Sequence, residues 1–310
     1  VTPPSRMKVV VALGGNALLR RDQPLTAENQ RDNASRAAEA LAEVAENHTL
    51  TVTHGNGPQI GLLALQSEEG DPEQAQPLDV LGAQTDGMIG HLLAQRLRSS
   101  LPEKEVVVLL TQVRVDANDE AFQAPTKPIG RVYAQSVADR LARERGWTIV
   151  RDGDGWRRAV PSPRPQQILE IGAIRLLVDA GTVVVCGGGG GIPVVVGSDR
   201  AVHGVEAVVD KDATTGMIAA GIGADLLLLL TDVDGLYEDF GTPHQRRIAA
   251  ISVGAALDQA EGLPSGSMGP KLRAAAEFVR DTGGRAAIGC LEQALGVVEG
   301  RAGTQIEPDV

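Results

Sequence analysis

The chain has 310 residues, 43% of them hydrophobic and 22% charged, and its 40 acidic against 29 basic side chains give a net charge of −11. That length holds one large domain or two modest ones, each with a real core. The acidic balance and the absence of any basic block exclude nucleic acid and an anionic membrane as the main partner, and no apolar run approaches membrane-spanning length. An anionic small substrate would then need local positive charge, which makes the few lysines informative. VTPPSRMK at the start lacks an apolar signal core, and Cys186 and Cys290 lie in apolar surroundings, so both are expected to be reduced in a cytoplasmic protein.

In chain order, apolar strands alternate with helices. Val9 to Leu13 is predicted as a strand, followed at once by Gly14-Gly15-Asn16. A helix is predicted from about Ala27 to Asn47, with Ala34, Ala38, Leu41 and Ala45 at helical spacing. The strand Leu50 to Thr53 leads into His54-Gly55-Asn56-Gly57-Pro58, where Pro58 suits a first helical turn. Two strand ends thus carry Gly-Asn turns whose backbone amides can approach one anion. His54 suggests a base, but the pattern favours a structural role. Pro77 to Leu97 is predicted as a helix enclosing QTDGMIG; its internal glycines imply close packing on the sheet, since each costs about 1 kcal/mol against alanine.

After the strand Val106 to Leu110 the composition changes. From Asp116 to about Pro165 the chain is richer in Pro, Arg and Trp, and residues 147–160 read as a hairpin around Asp152-Gly153. This span is expected to be an excursion from the main sheet. It contains Pro125-Thr126-Lys127-Pro128, a lysine stiffened by prolines on both sides, as a linker lysine or as one reaching over a site. A helix from Gln166 to Ala180 and a strand Thr182 to Cys186 precede five glycines, Gly187 to Gly191. Flexible-loop and phosphate-loop readings of that run stay open, because neither nucleotide-loop pattern fits it.

Gly204 to Tyr237 organises the remainder. Asp210-Lys211-Asp212 opens a helix over Ala213 to Gly221, and Leu226 to Leu230 is an unbroken leucine run ending in Thr231-Asp232-Val233-Asp234-Gly235. Such a run is a strand covered on both faces, and ligands of parallel sheets sit at strand carboxyl ends. Ser267-Met268-Gly269-Pro270-Lys271 then opens a helix over Leu272 to Arg280, followed by a strand Arg285 to Gly289, a helix Leu291 to Leu295 and a last strand at 303–306. Lys127, Lys211 and Lys271, set among glycine turns, are the equipment of phosphoryl transfer: cations for the oxygens and amides for the phosphates.

The ordered set ALGGNAL, HGNGPQIG, QTDGMIG, PTKPIG, VPSPRP, CGGGGGIPV, VEAVVDKD, LLTDVDGLY and MGPKLRAAAEFV resembles carbamate kinase, within the amino acid kinase superfamily. Relatives outside that branch place a lysine before the Leu-Gly-Gly turn, where this chain has Ala12; the resemblance assigns that charge to Lys127 of the lid. It implies a three-layer αβα sandwich with a mainly parallel open sheet and a small protruding lid subdomain at about 116–165. The lobe over 1–205 would take carbamate or carbamoyl phosphate, and that over 206–310 the nucleotide. It further implies a cytoplasmic homodimer transferring phosphate reversibly between ATP and carbamate, with Mg²⁺ accompanying the nucleotide and no protein metal ligand, usually in arginine breakdown.

Carried over by motif, Gly14, Gly15, Asn16, Gly55, Asn56 and Gly57 would hold the carbamate or the transferring group. Lys127 and Lys211 would neutralise phosphoryl oxygens, Asp212 would orient the lysines, and Lys271 would bind nucleotide phosphates. Thr231, Asp232, Val233, Asp234 and Tyr237, with Met268, would line the adenosine site. Two positions depart from the family pattern, Arg131-Val132 where Pro-Phe is usual and His91 where an aromatic is usual, and both are expected near the lid or substrate side. A related kinase with another small acceptor, or a non-catalytic sensor, are the alternatives; retention of the lysines speaks against the sensor.

Overall fold

The computed structural model describes residues 6–15, 19, 23–69, 74–263 and 268–309. In chain order, β1 (Lys8–Leu13), α1 (Ala27–Asn47), β2 (Thr49–His54), α2 (Gly57–Glu69) and α3 (Leu78–Ser100) precede β3 (Val106–Leu109) and β4 (Gln112–Val115). Next come β5 (Lys127–Tyr133), α4 (Gln135–Arg145), β6 (Thr148–Asp152), β7 (Gly155–Val160), β8 (Pro165–Ile168), α5 (Ile171–Asp179) and β9 (Val183–Cys186). Then β10 (Ile192–Val196) and β11 (Val202–Gly204) lead to α6 (Lys211–Ile222), β12 (Leu226–Thr231), β13 (Leu236–Glu238) and β14 (Arg246–Ile248). The order ends with β15 (Ala250–Ser252), α7 (Val253–Gly262), α8 (Met268–Thr282), β16 (Arg285–Cys290), α9 (Ala294–Val298) and β17 (Thr304–Glu307).

The main sheet has eight strands in the order β15-β17-β16-β12-β1-β2-β9-β3. Its described pairings are parallel apart from β16 with β17. The leucine run is the reason this sheet can be covered twice. Leu226, Leu228 and Leu230 join Val9, Val11 and Leu13 in a core packed under α1, α3 and α9, whereas Leu227, Leu229, Val10 and Ala12 face the opposite core under α5, α6, α7 and α8. With apolar side chains on both faces, the period-2 pattern vanishes from the sequence. The result is the expected αβα sandwich, and β1 beside β12 unites strands from both halves of the chain in one sheet.

Small side chains set the helix distances. α1 starts at Thr26, whose hydroxyl accepts from the Asn29 amide, and buries Ala34, Ala37, Ala38, Leu41 and Ala45. Of the glycines inside α3, Gly90 answers the close-packing expectation, since a Cβ there would lie 2.5 Å from Val108 Cγ1. At Gly87 the nearest atom would be 3.9 Å away, an ordinary contact.

Several predicted boundaries move: α8 begins at Met268 rather than Leu272, and α9 at Ala294 rather than Leu291. The helix expected from Gln166 begins at Ile171, because Pro165–Ile168 is extended and pairs with β4. The helix expected from Ala213 begins two residues earlier, at Lys211, because Asp210 is its N-cap and accepts from the amides of Asp212 and Ala213. The excursion holds a three-stranded sheet, β5-β7-β6, and its β6–β7 hairpin lies where the tryptophan-flanked turn was read. The four-stranded sheet β11-β10-β4-β8 had no counterpart in the sequence reading. Cys186 is buried in β9 and Cys290 is half-buried at the end of β16; both are free thiols, and burial pushes both thiol pKa values up.

Candidate active site

Four neighbouring parallel strands, β12, β1, β2 and β9, end at one cleft of about 800 Å³. The turns beyond them stay close because their glycines have no side chains. The Gly14 amide donates to Leu230 O at 3.0 Å and the Gly55 amide to Leu13 O at 3.1 Å, extending the ladder past the strands. A Cβ on Gly55 would stand 3.2 Å from Gly15 N. The two Gly-Asn turns are thus adjacent walls, with Gly14, Gly15, Gly55, Asn56 and Gly57 all lining the cleft. Asn16 and Ser267 lie outside the described residues.

The glycine run after β9 is closely packed and buried. Cβ atoms there would meet Asp86 Oδ1 at 2.0 Å from Gly188, Asn56 Nδ2 at 2.1 Å from Gly189 and Val209 O at 2.2 Å from Gly190. Four of its members, Gly187, Gly189, Gly190 and Gly191, hold φ between 60° and 95°, which favours glycine. Of this run, Gly189 reaches the cleft. His54 is fully buried, with Nε2 3.5 Å from Asp86 Oδ1, and does not line the cleft; its role is structural.

The charged array occupies the cleft floor. Lys211 Nζ donates to Asp212 Oδ1 at 2.5 Å, and Lys271 Nζ donates to the other oxygen of the same carboxylate at 3.2 Å. Lys127 reaches from β5 to Asp210 Oδ2 at 2.6 Å. Three lysines and two aspartates therefore meet at the start of α6. Asp210 was read only as part of a charged cluster, but it holds Lys127 and caps α6 simultaneously. The sequence signal was its position just before Lys211, where an N-cap aspartate is favoured.

The electrostatics differ among the lysines. Burial opposes the charge on Lys127, but Asp210, by its charge and hydrogen bond, outweighs burial and raises the pKa. At Lys211 burial prevails, assisted by the repulsion of Lys271, and the pKa is lowered despite Asp212. Both carboxylates are held below the ordinary range: burial would raise them, but Lys127 for Asp210, and Lys211 with Lys271 for Asp212, dominate.

The three-stranded excursion is seated on α2 by backbone contact. A Cβ on Gly61 would lie 1.9 Å from Gly130 Cα and 2.1 Å from Gly130 N, while Ile129 joins Ile60, Ala64, Val160 and Val208 in a small separate core. No rotamer relieves a backbone clash, so Gly61→Ala must push β5 away and carry Lys127 with it. The expected result is a loss of at least about tenfold in kcat/KM with circular dichroism unchanged, because 1 Å of misplacement costs about 10²-fold in favourable cases. Unaltered kcat/KM would show that the seat of β5 does not govern the site.

The match to known proteins is consistent across sequence and structure. The model of the amino acid kinase family matches residues 7–290. The carbamate kinase of Haemophilus influenzae is 48% identical, across 97% of this chain and 96% of its own, and that of Rhizobium meliloti 49% identical, across 97% and 93%. The chain belongs to the amino acid kinase family. Its structure superposes on carbamate kinase from Giardia lamblia bound to AMP-PNP with a TM-score of 0.87 at 36% identity, covering 98% of this chain and 99% of that one.

In this amino acid kinase, the remaining expected residues divide. Thr231 and Asp232 line the cleft beside Pro270 and Lys271, whereas Val233, Asp234, Tyr237 and Met268 do not. Asp234 accepts from the Tyr237 hydroxyl at 2.6 Å, and Met268 packs against the core under α8. Arg131 lines the cleft, its guanidinium 5.2 Å from the Tyr133 ring centre, but His91 is exposed on α3 and does not line it. Arg157, bonded to Asp152 at 2.9 Å, also reaches the cleft and was not anticipated, since an arginine in a hairpin gives no motif.

Proposed function

We propose that this chain is a carbamate kinase, transferring a phosphoryl group reversibly between ATP and carbamate. The observation that carries the reading is the array Lys127–Asp210 with Lys211–Asp212–Lys271, set against the glycine turns of β1 and β2. Carbamate is already an oxygen anion, so no general base is required. Its oxygen forms the new bond to phosphorus as the bond to the ADP oxygen breaks, and the electron pair leaves with ADP. Lys211 and Lys271 stabilise the equatorial oxygens from one side and Lys127 from the lid. Each exchanges part of its aspartate contact for phosphate as charge develops.

Gly14, Gly15, Gly55, Asn56 and Gly57 form the acceptor side in this reading, with Asn16. Lys271, Thr231 and Asp232 begin the nucleotide side, and Val233, Asp234, Tyr237 and Met268 extend it towards the adenosine. This divides the chain functionally near 205/206, with about 116–165 as the lid. Among the described residues no three His, Cys, Asp or Glu side chains form a metal cluster, and Asp210 and Asp212 are engaged by lysines. In this reading Mg²⁺ accompanies the nucleotide phosphates as part of the substrate, as the family likeness implies. A homodimer working in a cytoplasm, and ATP synthesis during arginine breakdown, are supported by the family likeness alone.

The reading is tested by ADP release from Mg-ATP. Carbamate should stimulate it strongly and acetate should not; the absence of carbamate-dependent release would exclude the assignment. The pH profile gives a second test. Lys211 acts as a cation, and burial with Lys271 nearby lowers its pKa, so the charge is lost on the alkaline side before an ordinary lysine would lose it. The kcat/KM of the free enzyme should fall as pH rises through a value below the ordinary lysine value of 10.5, and Lys211→Arg should move that limb upward. A limb unaffected by Lys211→Arg would assign it to another group.

A further inference from the structure

The QTDG stretch of α3 fixes one atom of the cleft, through a hydrogen-bond chain whose direction can be deduced. Thr85 Oγ1 lies 3.0 Å from Leu81 O and 2.9 Å from Gly82 O. Those carbonyls only accept, so the single hydroxyl proton of Thr85 is committed to them. Asn56 has an amide atom 2.8 Å from the same Oγ1, which must therefore receive a proton from it. Oxygen and nitrogen of an asparagine amide are assigned by their partners, and here the partner admits Nδ2 alone. Gly189 closes a second side, since its position leaves no room for a Cβ against that amide.

The amide orientation has a chemical consequence in the cleft. With Nδ2 tied to the helix, the carbonyl oxygen Oδ1 is the opposite end. Asn56 lines the cleft, and Oδ1 has no hydrogen-bond partner among the described residues, nor is it among the enclosed polar atoms left without one. Oδ1 is thus a preoriented acceptor at the acceptor-side wall. Carbamate and carbamoyl phosphate carry an amino group that donates; acetate and acetyl phosphate carry a methyl group of nearly the same size that does not. We infer that Asn56, locked by Thr85, is the specificity-determining acceptor that recognises the amino group of the carbamoyl substrate. Thr85 is then a positioning residue, acting through Asn56. The inference rests on the carbamate kinase reading and adds to it the basis of discrimination.

A site built to hydrogen-bond a substrate N–H rejects an analogue lacking it strongly, by about 10⁴–10⁵ in favourable cases. The experiment is the ratio of kcat/KM for carbamoyl phosphate over acetyl phosphate, in ATP synthesis from Mg-ADP. Wild type, Thr85→Val, Thr85→Ser, Asn56→Ala and the Thr85→Val/Asn56→Ala double variant are compared. Valine preserves the volume of threonine and removes the hydroxyl. The ratio should fall at least about tenfold in Thr85→Val and in Asn56→Ala, and the double variant should be no worse than Asn56→Ala. Thr85→Ser should keep the wild-type ratio, and the KM for ADP should stay within about twofold throughout, which a general loosening of α3 would not allow.

A ratio unchanged in Thr85→Val and Asn56→Ala, with wild type active on carbamoyl phosphate, overturns the inference and leaves the kinase reading standing. Additive losses in the double variant overturn the lock. Wild type without turnover of carbamoyl phosphate overturns the kinase reading and this inference with it. Should Thr85→Val fail to fold, Asn56→Ala and Thr85→Ser carry the same test of the ratio.

Discussion

Lys211→Ala is expected to lower kcat by about 10²–10³-fold, the range seen when one preorganised transition-state donor is removed. The side chain is largely buried against Asp212, whose carboxylate also holds Lys271, so the two ammonium groups share one small region. In the proposed reaction, incoming phosphoryl charge relieves the repulsion between them, so the interaction strengthens towards the transition state and the loss is expected in kcat. Alanine leaves Asp212 paired to Lys271 at 3.2 Å, and α6 keeps its cap at Asp210, so the fold should be retained. Steady-state kinetics beside a melting curve check this. Near-normal kcat would remove Lys211 from the chemistry; loss of the fold would assign it a structural role.

Lys127→Ala is expected to cost about 10²-fold in kcat/KM for carbamoyl phosphate, with a smaller effect on the KM for ADP. Unlike Lys211, this lysine comes from the excursion and has 29% of its side chain exposed, so the loss combines missing charge with a lid that no longer ties to Asp210. The Gly61–Gly130 seat and the Ile129 cluster remain, so the lid should stay docked. Equal damage to both substrates would mean that Lys127 serves the whole cleft, and wild-type kinetics would detach the lid from catalysis.

The main sheet was legible because its strands announce themselves differently from surface strands. Leu226 to Leu230 and Val9 to Leu13 are apolar without alternation, and the structure places alternate members in opposite cores. The glycine turns were legible because they follow directly on those strands. The second sheet was not, since β4 (QVRV) alternates polar and apolar residues over only four positions, Pro193 interrupts the apolar run of β10 (IPVVV) and all three residues of β11 are exposed. Two lysine partners were half visible. Asp212 entered through the family motif, whereas the bond between Lys127 and Asp210 spans 83 positions and no local pattern encodes it. Thr85 was hidden inside QTDG for the same reason: its significance lies in an asparagine on another element.

The claim that these lysines and glycine turns form a carbamate kinase site is tested most directly by initial rates of ATP formation from Mg-ADP and carbamoyl phosphate. Wild type and Lys211→Ala are measured side by side. Rapid formation in wild type, reduced about 10²–10³-fold in the variant, is the predicted result. No ATP from wild type, or equal rates from both proteins, would contradict it.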